Sequence, residues 1–166
     1  MTRKKAISGN FSGLTLITGG QTGVDRAALD FALENGIPCG GFCPKGRKAE
    51  DGRIDNRYPL TETNSDNYSE RTIQNVQQSE GIVIFFDNHI DPGTQFTIDA
   101  CRKLCKSCLL MNVATPRDKE IFLEWLRKNN ISRLNIAGPR ESFSPGIYKK
   151  VRKVLDQFFL AESKNR

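Results

Sequence analysis

The sequence predicts a three-layer α/β protein in which a mainly parallel, five-stranded sheet lies between helices. Five short runs of apolar, β-favouring residues alternate with segments whose apolar residues recur at helical spacing. Such an alternation is typical of a parallel sheet built through right-handed crossovers. At 166 residues the chain is long enough for one well-buried domain and short for two. We assign residues 13–160 to this domain, residues 1–12 to a basic N-terminal tail without the apolar core of a signal peptide, and residues 161–166 to a C-terminal tail.

The first strand and helix are joined by a glycine-rich turn. A β-rich run at residues 14–17 precedes the turn, and a helical apolar stripe begins at Val24 and stops at Gly36. Unpaired N–H groups and the macrodipole at a helix N-terminus favour an anion there. The turn matches neither a dinucleotide fingerprint, since Thr18 replaces its first glycine, nor a P-loop, which needs Lys-Ser/Thr where Val24-Asp25 stands. A turn that binds nothing is the alternative.

The second strand, residues 37–42, leads into a basic run. In a dinucleotide site an acidic residue near this point would hold a ribose hydroxyl, whereas residues 43–48 contain three basic side chains and no acidic one. This argues against NAD and for a phosphate or another anion. Residues 44–67 then show no periodicity, and a long irregular segment inside a domain is usually functional or disordered. We expect this segment to cover a ligand, with a plain surface loop as the alternative.

The later elements follow from the same patterns. The uninterrupted apolar run at residues 82–86 is typical of a central parallel strand, and a second glycine turn, Gly93-Thr94, precedes another helix. A cap, a proline and an acidic residue at 115–118 predict a helix start. The other predicted elements are helices at 69–79, 96–104 and 121–126, strands at 108–113 and 132–137, and a last helix that starts at 144–145.

Four polar stretches follow predicted strands, at residues 19–25, 43–47, 93–94 and 138–142. The carboxyl ends of parallel strands lie at one rim of the sheet, and ligands bind there at the point where strand order reverses. We therefore expect these stretches to converge on one ligand site.

The charge of the chain indicates anionic partners. Its 25 Lys and Arg exceed its 19 Asp and Glu, for a net charge of +6. No RNA-binding or zinc-finger pattern accompanies this charge, so we expect a phosphorylated small molecule rather than nucleic acid. No apolar run approaches the length of a membrane span, and we expect no membrane partner. Five cysteines, an odd number, favour reduced thiols and a cytoplasmic location.

Three of the cysteines have the spacing of an iron–sulfur motif. Cys101, Cys105 and Cys108 form C-x3-C-x2-C. Cys101 and Cys105 lie one helical turn apart in a predicted amphipathic helix, and Cys108 opens a predicted strand. We therefore expect buried structural thiols rather than a cluster.

Several long motifs closely resemble those of the molybdenum cofactor carrier proteins, in the same order and over about residues 14–159. The shared segments are residues 19–28 (GGQTGVDRAA), 41–47 (GFCPKGR), 49–52 (AEDG), 58–63 (YPLTET), 71–76 (RTIQNV) and 137–142 (AGPRES).

The resemblance implies a Rossmann-like subunit that forms a homo-oligomer, a dimer or tetramer, and binds the molybdenum cofactor (molybdopterin). It also implies that the protein protects the cofactor or delivers it to molybdenum enzymes. The basic and glycine-rich motifs suit this cofactor or another phosphorylated small molecule. Backbone N–H groups of the first turn, together with Lys45, Arg47 and Arg140, would hold its phosphate or molybdate oxygens, because arginine suits bidentate anion recognition. Cys43 could contact the metal, although nothing in the sequence requires it.

The candidate binding residues come from the motifs and the predicted rim. They are Gly19, Gly20, Gln21, Thr22, Gly23, Asp25, Arg26, Cys43, Lys45, Gly46, Arg47, Glu50, Gly93, Thr94, Pro139, Arg140, Glu141 and Ser142. We assign no catalytic residue and no metal ligand from the protein.

The resemblance also implies kinship with lonely-guy-type nucleotide phosphoribohydrolases, whose P-G-G-x-G-T-x-x-E stretch ends in a catalytic glutamate. Thr97 occupies that glutamate position here. A neutral hydroxyl is a poor base near neutral pH and stabilises no oxocarbenium-like centre, so we expect weak or no hydrolysis. A nucleotide-binding sensor without a carrier role is the third alternative.

Overall fold

A computed structural model describes residues 11–115 and 119–160 of the chain. Along the chain its elements are β1 (Thr15–Ile17), α1 (Val24–Asn35), β2 (Cys39–Gly40), β3 (Phe42–Cys43), β4 (Lys48–Ala49), β5 (Gly52–Arg53), β6 (Thr61–Glu62), α2 (Tyr68–Gln78), β7 (Gly81–Phe86), α3 (Pro92–Lys103), β8 (Ser107–Asn112), α4 (Lys119–Lys128), β9 (Arg133–Ala137) and α5 (Ile147–Phe159).

Five of these strands form one parallel sheet in the order β2-β1-β9-β7-β8. β1 pairs with β2 and β9, and β7 pairs with β9 and β8. After β1 the chain continues to β2 at one edge of the sheet, and after β7 it continues to β8 at the other edge. β9 then lies between β1 and β7. Strand order therefore reverses between the carboxyl ends of β1 and β7, where sheets of this kind bind ligands. The predicted fold class is confirmed.

β7 is buried on both faces, which explains its uninterrupted apolar sequence. Val83 and Phe85 belong to the larger core, where α1 and α5 pack together. Ile82 and Ile84 belong to a smaller core with residues of α2 and α3. Successive strand residues point to opposite faces, so a strand covered on both sides has no polar alternation.

Phe11 belongs to the core, which corrects the predicted N-terminal tail of residues 1–12. Its ring stacks on Phe159 with 4.2 Å between centroids, and only 6% of the residue is exposed. The folded unit therefore includes Phe11. Residues 1–10 and 161–166, assigned to tails, lie outside the described residues.

The starts of the last two helices are predicted at residues 115–118 and 144–145. The cap proposed for residues 115–118 falls largely on positions 116–118, outside the described residues, and α4 is described from Lys119. The last helix starts at Ile147 rather than at residues 144–145, because Gly146 adopts a left-handed conformation (φ 86°) that is incompatible with the helix. No helix in the described segments is long and apolar enough to cross a membrane.

The three spaced cysteines are not brought together into one group. In residues 11–115 and 119–160, no group of three or more His, Cys, Asp or Glu side chains is arranged to hold a metal ion. Cys101 is buried, Cys108 is half-buried and Cys105 is exposed. A hydrogen bond between the thiols of Cys101 and Cys108 raises the pKa of Cys101. The interpretation of Cys101 and Cys108 as structural thiols agrees with this packing. Cys105 was also expected to be buried, and it is exposed instead.

The segment 44–67 contains more structure than its sequence predicts. β3 pairs with β6 in parallel, and β4 pairs with β5 as a hairpin. Ile54 and Tyr58 pack with Leu29 of α1 in a third apolar cluster. These short pairs carry too few residues to show a period of two. The segment is held against α1.

Candidate ligand-binding cleft

A cleft of about 280 Å³ lies at the carboxyl rim of the sheet, where strand order reverses. The β1–α1 turn, the N-termini of α2 and α3 and the end of β9 form its walls. Three of the four polar stretches predicted to converge contribute residues, and the stretch 43–47 contributes none. The lining residues are Gln21, Asp25, Tyr68, Ser69, Arg71, Thr72, Asp91, Pro92, Gly93, Thr94, Phe96, Thr97, Ala137, Gly138 and Arg140.

Arg71 is a cleft residue that we did not include among the candidate binding residues. Its Nη1 donates to Oδ2 of Asp25 at 3.0 Å. The guanidinium lies directly over Gly19, where an added Cβ would stand 1.7 Å from Nη1. Tyr68, Arg71 and Thr72 have the i, i+3, i+4 spacing that places side chains on one helical face, and this spacing at a polar helix start is the signal that could have identified Arg71.

The ring of Tyr68 is surrounded by three cations. The distances from the ring centroid are 5.4 Å to the Arg140 guanidinium carbon, 5.9 Å to that of Arg71 and 5.5 Å to the Lys48 nitrogen. Each is within reach of the negative face of the ring. Two arginines and a lysine around one aromatic ring suit a ligand with a flat group and a negative charge.

Gln21 forms the inner wall of the cleft and is 5% exposed. Its Oε1 accepts hydrogen bonds from the backbone N–H groups of Thr22 at 3.0 Å and Glu50 at 2.9 Å. Its Nε2 is buried without a partner in the described part of the chain, as is Nε of Arg71. Unpaired buried donors are costly, so a ligand acceptor here would stabilise the site.

The N-terminus of α3 is capped by the side chain of Asp91. Oδ1 of Asp91 accepts from the Thr94 N–H at 2.7 Å, and Oδ2 accepts from the Thr94 hydroxyl at 3.0 Å. Thr94 was predicted to bind an anion, but the Asp91 carboxylate already occupies its donors, as an N-cap acid does. The Thr97 hydroxyl donates to the Gly93 carbonyl at 3.2 Å. Gly93 and Thr94 thus reach the cleft as expected, with Thr94 already bonded.

Glu50 links two loops beside the cleft. Its carboxylate accepts from the hydroxyls of Thr22 and Ser142 and from the Ser142 N–H at 3.1 Å, and it lies 3.9 Å from Arg140. Partial burial opposes ionisation of this carboxyl. The hydrogen bonds from Ser142 and Thr22 and the charge of Arg140 outweigh burial, so the pKa of Glu50 lies below its ordinary value.

We expect the Glu50 network to be lost in acid. A carboxyl whose pKa is lower in the folded state stabilises that state above its ordinary pKa of about 4.3, and the contribution disappears as pH falls through the folded-state pKa. Glu50→Gln should therefore lower the free energy of unfolding by about 1 kcal/mol at pH 7 and by little at pH 3. Urea denaturation of both proteins at the two pH values measures this difference. The exposed Glu124→Gln is the control, and an equal loss at both pH values would contradict the prediction.

The structure does not support the assignment of Arg47 to an anion site. Arg47 is 7% exposed and is not among the cleft residues. Its guanidinium donates to four backbone carbonyl oxygens, those of residues 54, 55, 58 and 60, at 2.8–3.1 Å. Arg47 therefore organises segment 44–67, and only one of its five N–H donors is left for another partner.

Four other candidates are outside the cleft lining and are bonded elsewhere, Arg26 and Glu141 through their side chains and Lys45 and Gly46 through their backbone N–H groups. Arg26 donates to the Gly20 carbonyl and to both oxygens of Asp51. Glu141 accepts from the N–H groups of Gly146 and Tyr148 and so caps α5. The Gly46 N–H donates to Glu62 at 2.5 Å, and the Lys45 N–H donates to the Ser65 carbonyl at 2.9 Å.

Cys43 is fully buried beside Leu29 and Ile54. Burial is the main cause of the raised pKa of its thiol, which disfavours the thiolate form that binds metals. Cys43 does not line the cleft, so the suggested contact with a ligand's metal has no support in this geometry.

A parallel sheet of this order defines a Rossmann-like protein, and its polar cleft lies at the carboxyl rim, where such folds bind small molecules. The sequence model of the circularly permutated YpsA SLOG family matches residues 16–159. The chain belongs to that family.

The chain is also similar to a crystal structure described as a "putative molybdenum carrier protein" from Syntrophus aciditrophicus SB. The two are 39% identical, the match covers 87% of this chain and 93% of that one, and the TM-score is 0.83. Among curated proteins, none matches the chain significantly. These findings confirm the resemblance predicted from the sequence motifs.

Proposed function

We propose that the cleft binds the molybdenum cofactor and that the protein carries it, protecting it or delivering it to molybdenum enzymes. The observation that carries this proposal is the set of Arg71, Arg140 and Lys48 around the Tyr68 ring. This set stands at the ligand-binding rim of a chain similar to a protein described as a molybdenum carrier. The cofactor combines a flat pterin with a phosphate and an oxo-metal group, and the cleft offers an aromatic ring with cations beside it.

Each part of the cofactor has a chemically suitable group in the cleft. Arg140, a lining residue, suits the phosphate, and so does Lys48, which lies over the Tyr68 ring but is not part of the lining. Guanidinium and ammonium groups form charge-assisted hydrogen bonds with phosphate. Tyr68 and Phe96 are aromatic lining residues that suit the pterin. Among the described lining residues none is Cys or His, so the metal would be held through the cofactor's own dithiolene.

The cleft is too small to enclose a ligand as large as molybdopterin. Small-molecule sites usually enclose about 300–1,000 Å³, and this cleft of about 280 Å³ is at the lower limit. A ligand as large as molybdopterin would stay partly exposed. A recipient enzyme could then contact it before it leaves the carrier.

Hydrolysis of a nucleotide is not part of the proposed function. Thr97 lines the cleft where the hydrolase relatives implied by the sequence motifs have a glutamate, and its hydroxyl is bonded to the Gly93 carbonyl. Asp99, a conceivable substitute, accepts from Gln95 at 2.9 Å and does not line the cleft. Glu50 is engaged by Thr22 and Ser142. Binding of a nucleotide without cleavage is the alternative that the cleft allows.

We expect the purified protein to retain the cofactor and Arg140→Ala to retain at least tenfold less, because one charge-assisted contact contributes about 1.5–3 kcal/mol. After incubation with molybdenum cofactor, gel filtration separates bound from free ligand. Pterin fluorescence and molybdenum are then measured in the protein peak. Arg133→Ala is the matched control, since Arg133 is exposed and lies at the opposite end of β9 from Arg140.

Three outcomes of this experiment are informative. Pterin and molybdenum near one per subunit, reduced by Arg140→Ala and unchanged by Arg133→Ala, support the carrier and locate its anion site. Equal losses in both variants contradict that location. Absence of both signals from the wild-type protein peak overturns the carrier proposal, and a nucleoside monophosphate is then the next ligand to test.

A further inference from the structure

The inner wall of the cleft has hydrogen-bonding groups that the protein leaves free. The two bonds accepted by Oε1 of Gln21 fix the orientation of its carboxamide, because both partners are backbone donors. The donor end, Nε2, is therefore the end without a partner in the described residues. Nε of Arg71 is a second buried donor in the same situation.

Asp25 supplies an acceptor beside these two donors. Its Oδ2 accepts from Arg71 Nη1 at 3.0 Å and from the backbone N–H of Gln21 at 3.2 Å. Within the described residues no donor is paired with Oδ1, and the Asp25 side chain, 6% exposed, lines the cleft. Asp25 thus contacts both Gln21 and Arg71. The unpaired donors Gln21 Nε2 and Arg71 Nε and the unpaired acceptor Asp25 Oδ1 therefore belong to the same wall.

This wall carries little net charge. The Arg71 guanidinium and the Asp25 carboxylate form a close ion pair at 3.0 Å. Arg140 and Lys48, over the Tyr68 ring, have looser carboxylate partners, Glu50 at 3.9 Å and Asp66 at 3.7 Å. Lys48 and Arg140 are also more exposed than the inner pair. A neutral, polar edge of a ligand is therefore favoured at the inner wall, and a phosphate is favoured on the outer side.

We propose that the inner wall recognises a lactam edge, a ring carbonyl next to a ring N–H, as in a 2-amino-4-oxopterin or a guanine. This inference rests on the proposed function, because it uses the same cleft as the ligand site. The carbonyl oxygen has two lone pairs and accepts from both Gln21 Nε2 and Arg71 Nε, while the ring N–H donates to Asp25. The ligand enters ring first, and its phosphate stays beside Arg140.

Adenine fits this pattern less well. The acceptor of adenine is the ring nitrogen next to its amino group, which has one lone pair in the ring plane. It accepts from only one of Gln21 Nε2 and Arg71 Nε, so the other donor stays buried and unpaired. Sites that hydrogen-bond a ligand group discriminate strongly against an analogue that lacks it. GMP and AMP carry the same ribose phosphate, so their affinities compare the two ring edges directly.

Calorimetric titration with GMP, neopterin 3′-phosphate and AMP tests the inference. We expect wild-type protein to bind GMP and the pterin phosphate at least tenfold more tightly than AMP. Gln21→Glu keeps an oxygen for the two backbone donors and replaces only the free amide donor by an acceptor. It should weaken GMP and pterin binding at least tenfold. Arg140→Ala is the matched control and should weaken all three ligands by similar factors.

The outcomes separate this inference from the carrier proposal. Equal affinities for GMP and AMP in the wild-type protein, or no binding of any of the three, overturn the lactam inference even if molybdenum cofactor binds. A GMP preference that Gln21→Glu removes supports the inference even if molybdenum cofactor does not bind, and only the carrier proposal then fails. Thermal unfolding of Gln21→Glu shows whether it folds, and the wild-type ratio decides the question without any variant.

Discussion

Arg47→Ala should lower the free energy of unfolding by about 3 kcal/mol or more, although this arginine has the sequence surroundings of an anion ligand. The guanidinium holds four carbonyl oxygens of residues 54–60 from a buried position. Its removal leaves those oxygens unpaired and frees the segment from α1. Urea denaturation measures the loss, and limited proteolysis within residues 48–62 shows whether the segment opens.

Two further variants make this result specific. Arg47→Lys should recover little stability, since an ammonium group has three donors at one point and cannot reach four separated carbonyls. Arg53→Ala changes an exposed arginine of the same segment, bonded to Asn56, and should cost less than about 0.5 kcal/mol. If Arg47→Ala instead keeps its stability and loses cofactor binding, Arg47 is an anion ligand after all.

Gly23→Ala should destabilise the protein by about 3 kcal/mol or more, for two independent reasons. Gly23 has φ 78° and ψ −124°, a conformation that residues with a Cβ rarely adopt. An added Cβ would also stand 2.5 Å from the Pro139 carbonyl oxygen and 2.8 Å from the Glu141 nitrogen. Both are backbone atoms, so the loop after β9 would have to move away from the first turn.

Gly36→Ala is the matched control for this variant. Gly36 also has a positive φ, 68°, but no atom lies within 4 Å of an added Cβ. Its substitution should cost only the left-handed penalty of about 1 kcal/mol. Gly36 lies in the left-handed helical region (ψ 27°), whereas Gly23 does not (ψ −124°). The difference between the two losses, measured by thermal unfolding, is therefore the combined cost of the glycine-only backbone and the close contacts at Gly23. Similar losses in the two variants would contradict the prediction for Gly23→Ala.

These contrasts show which parts of the site a sequence can predict. The glycine turns, the rim and Arg140 follow from local patterns, because a strand, a turn and a helix start are encoded by neighbouring residues. The roles of Arg47 and Arg71 do not follow from such patterns. Both are basic residues in polar surroundings, and only the fold shows that Arg47 meets carbonyls of its own segment while Arg71 meets Asp25 across 46 residues.

The structure and the role of segment 44–67 could not be predicted from local patterns either. The segment has no period because its strands β4, β5 and β6 have two residues each. The expected ligand-covering role rested on its varied charges. Two of those charges pair with α1: Arg57 with Asp30, and Asp51 with Arg26.

The amino-acid sequence by itself determined the α/β class, the parallel strands, the rim at which sheets of this kind bind ligands and the family to which the chain belongs. These depend on hydrophobic periodicity, turn residues and motif order, all of which are local properties. Only the tertiary structure decided which polar groups are left free for a ligand. That outcome depends on which donors and acceptors meet across the fold, as when Asp91 occupies Thr94 and Gln21 keeps an unpaired amide.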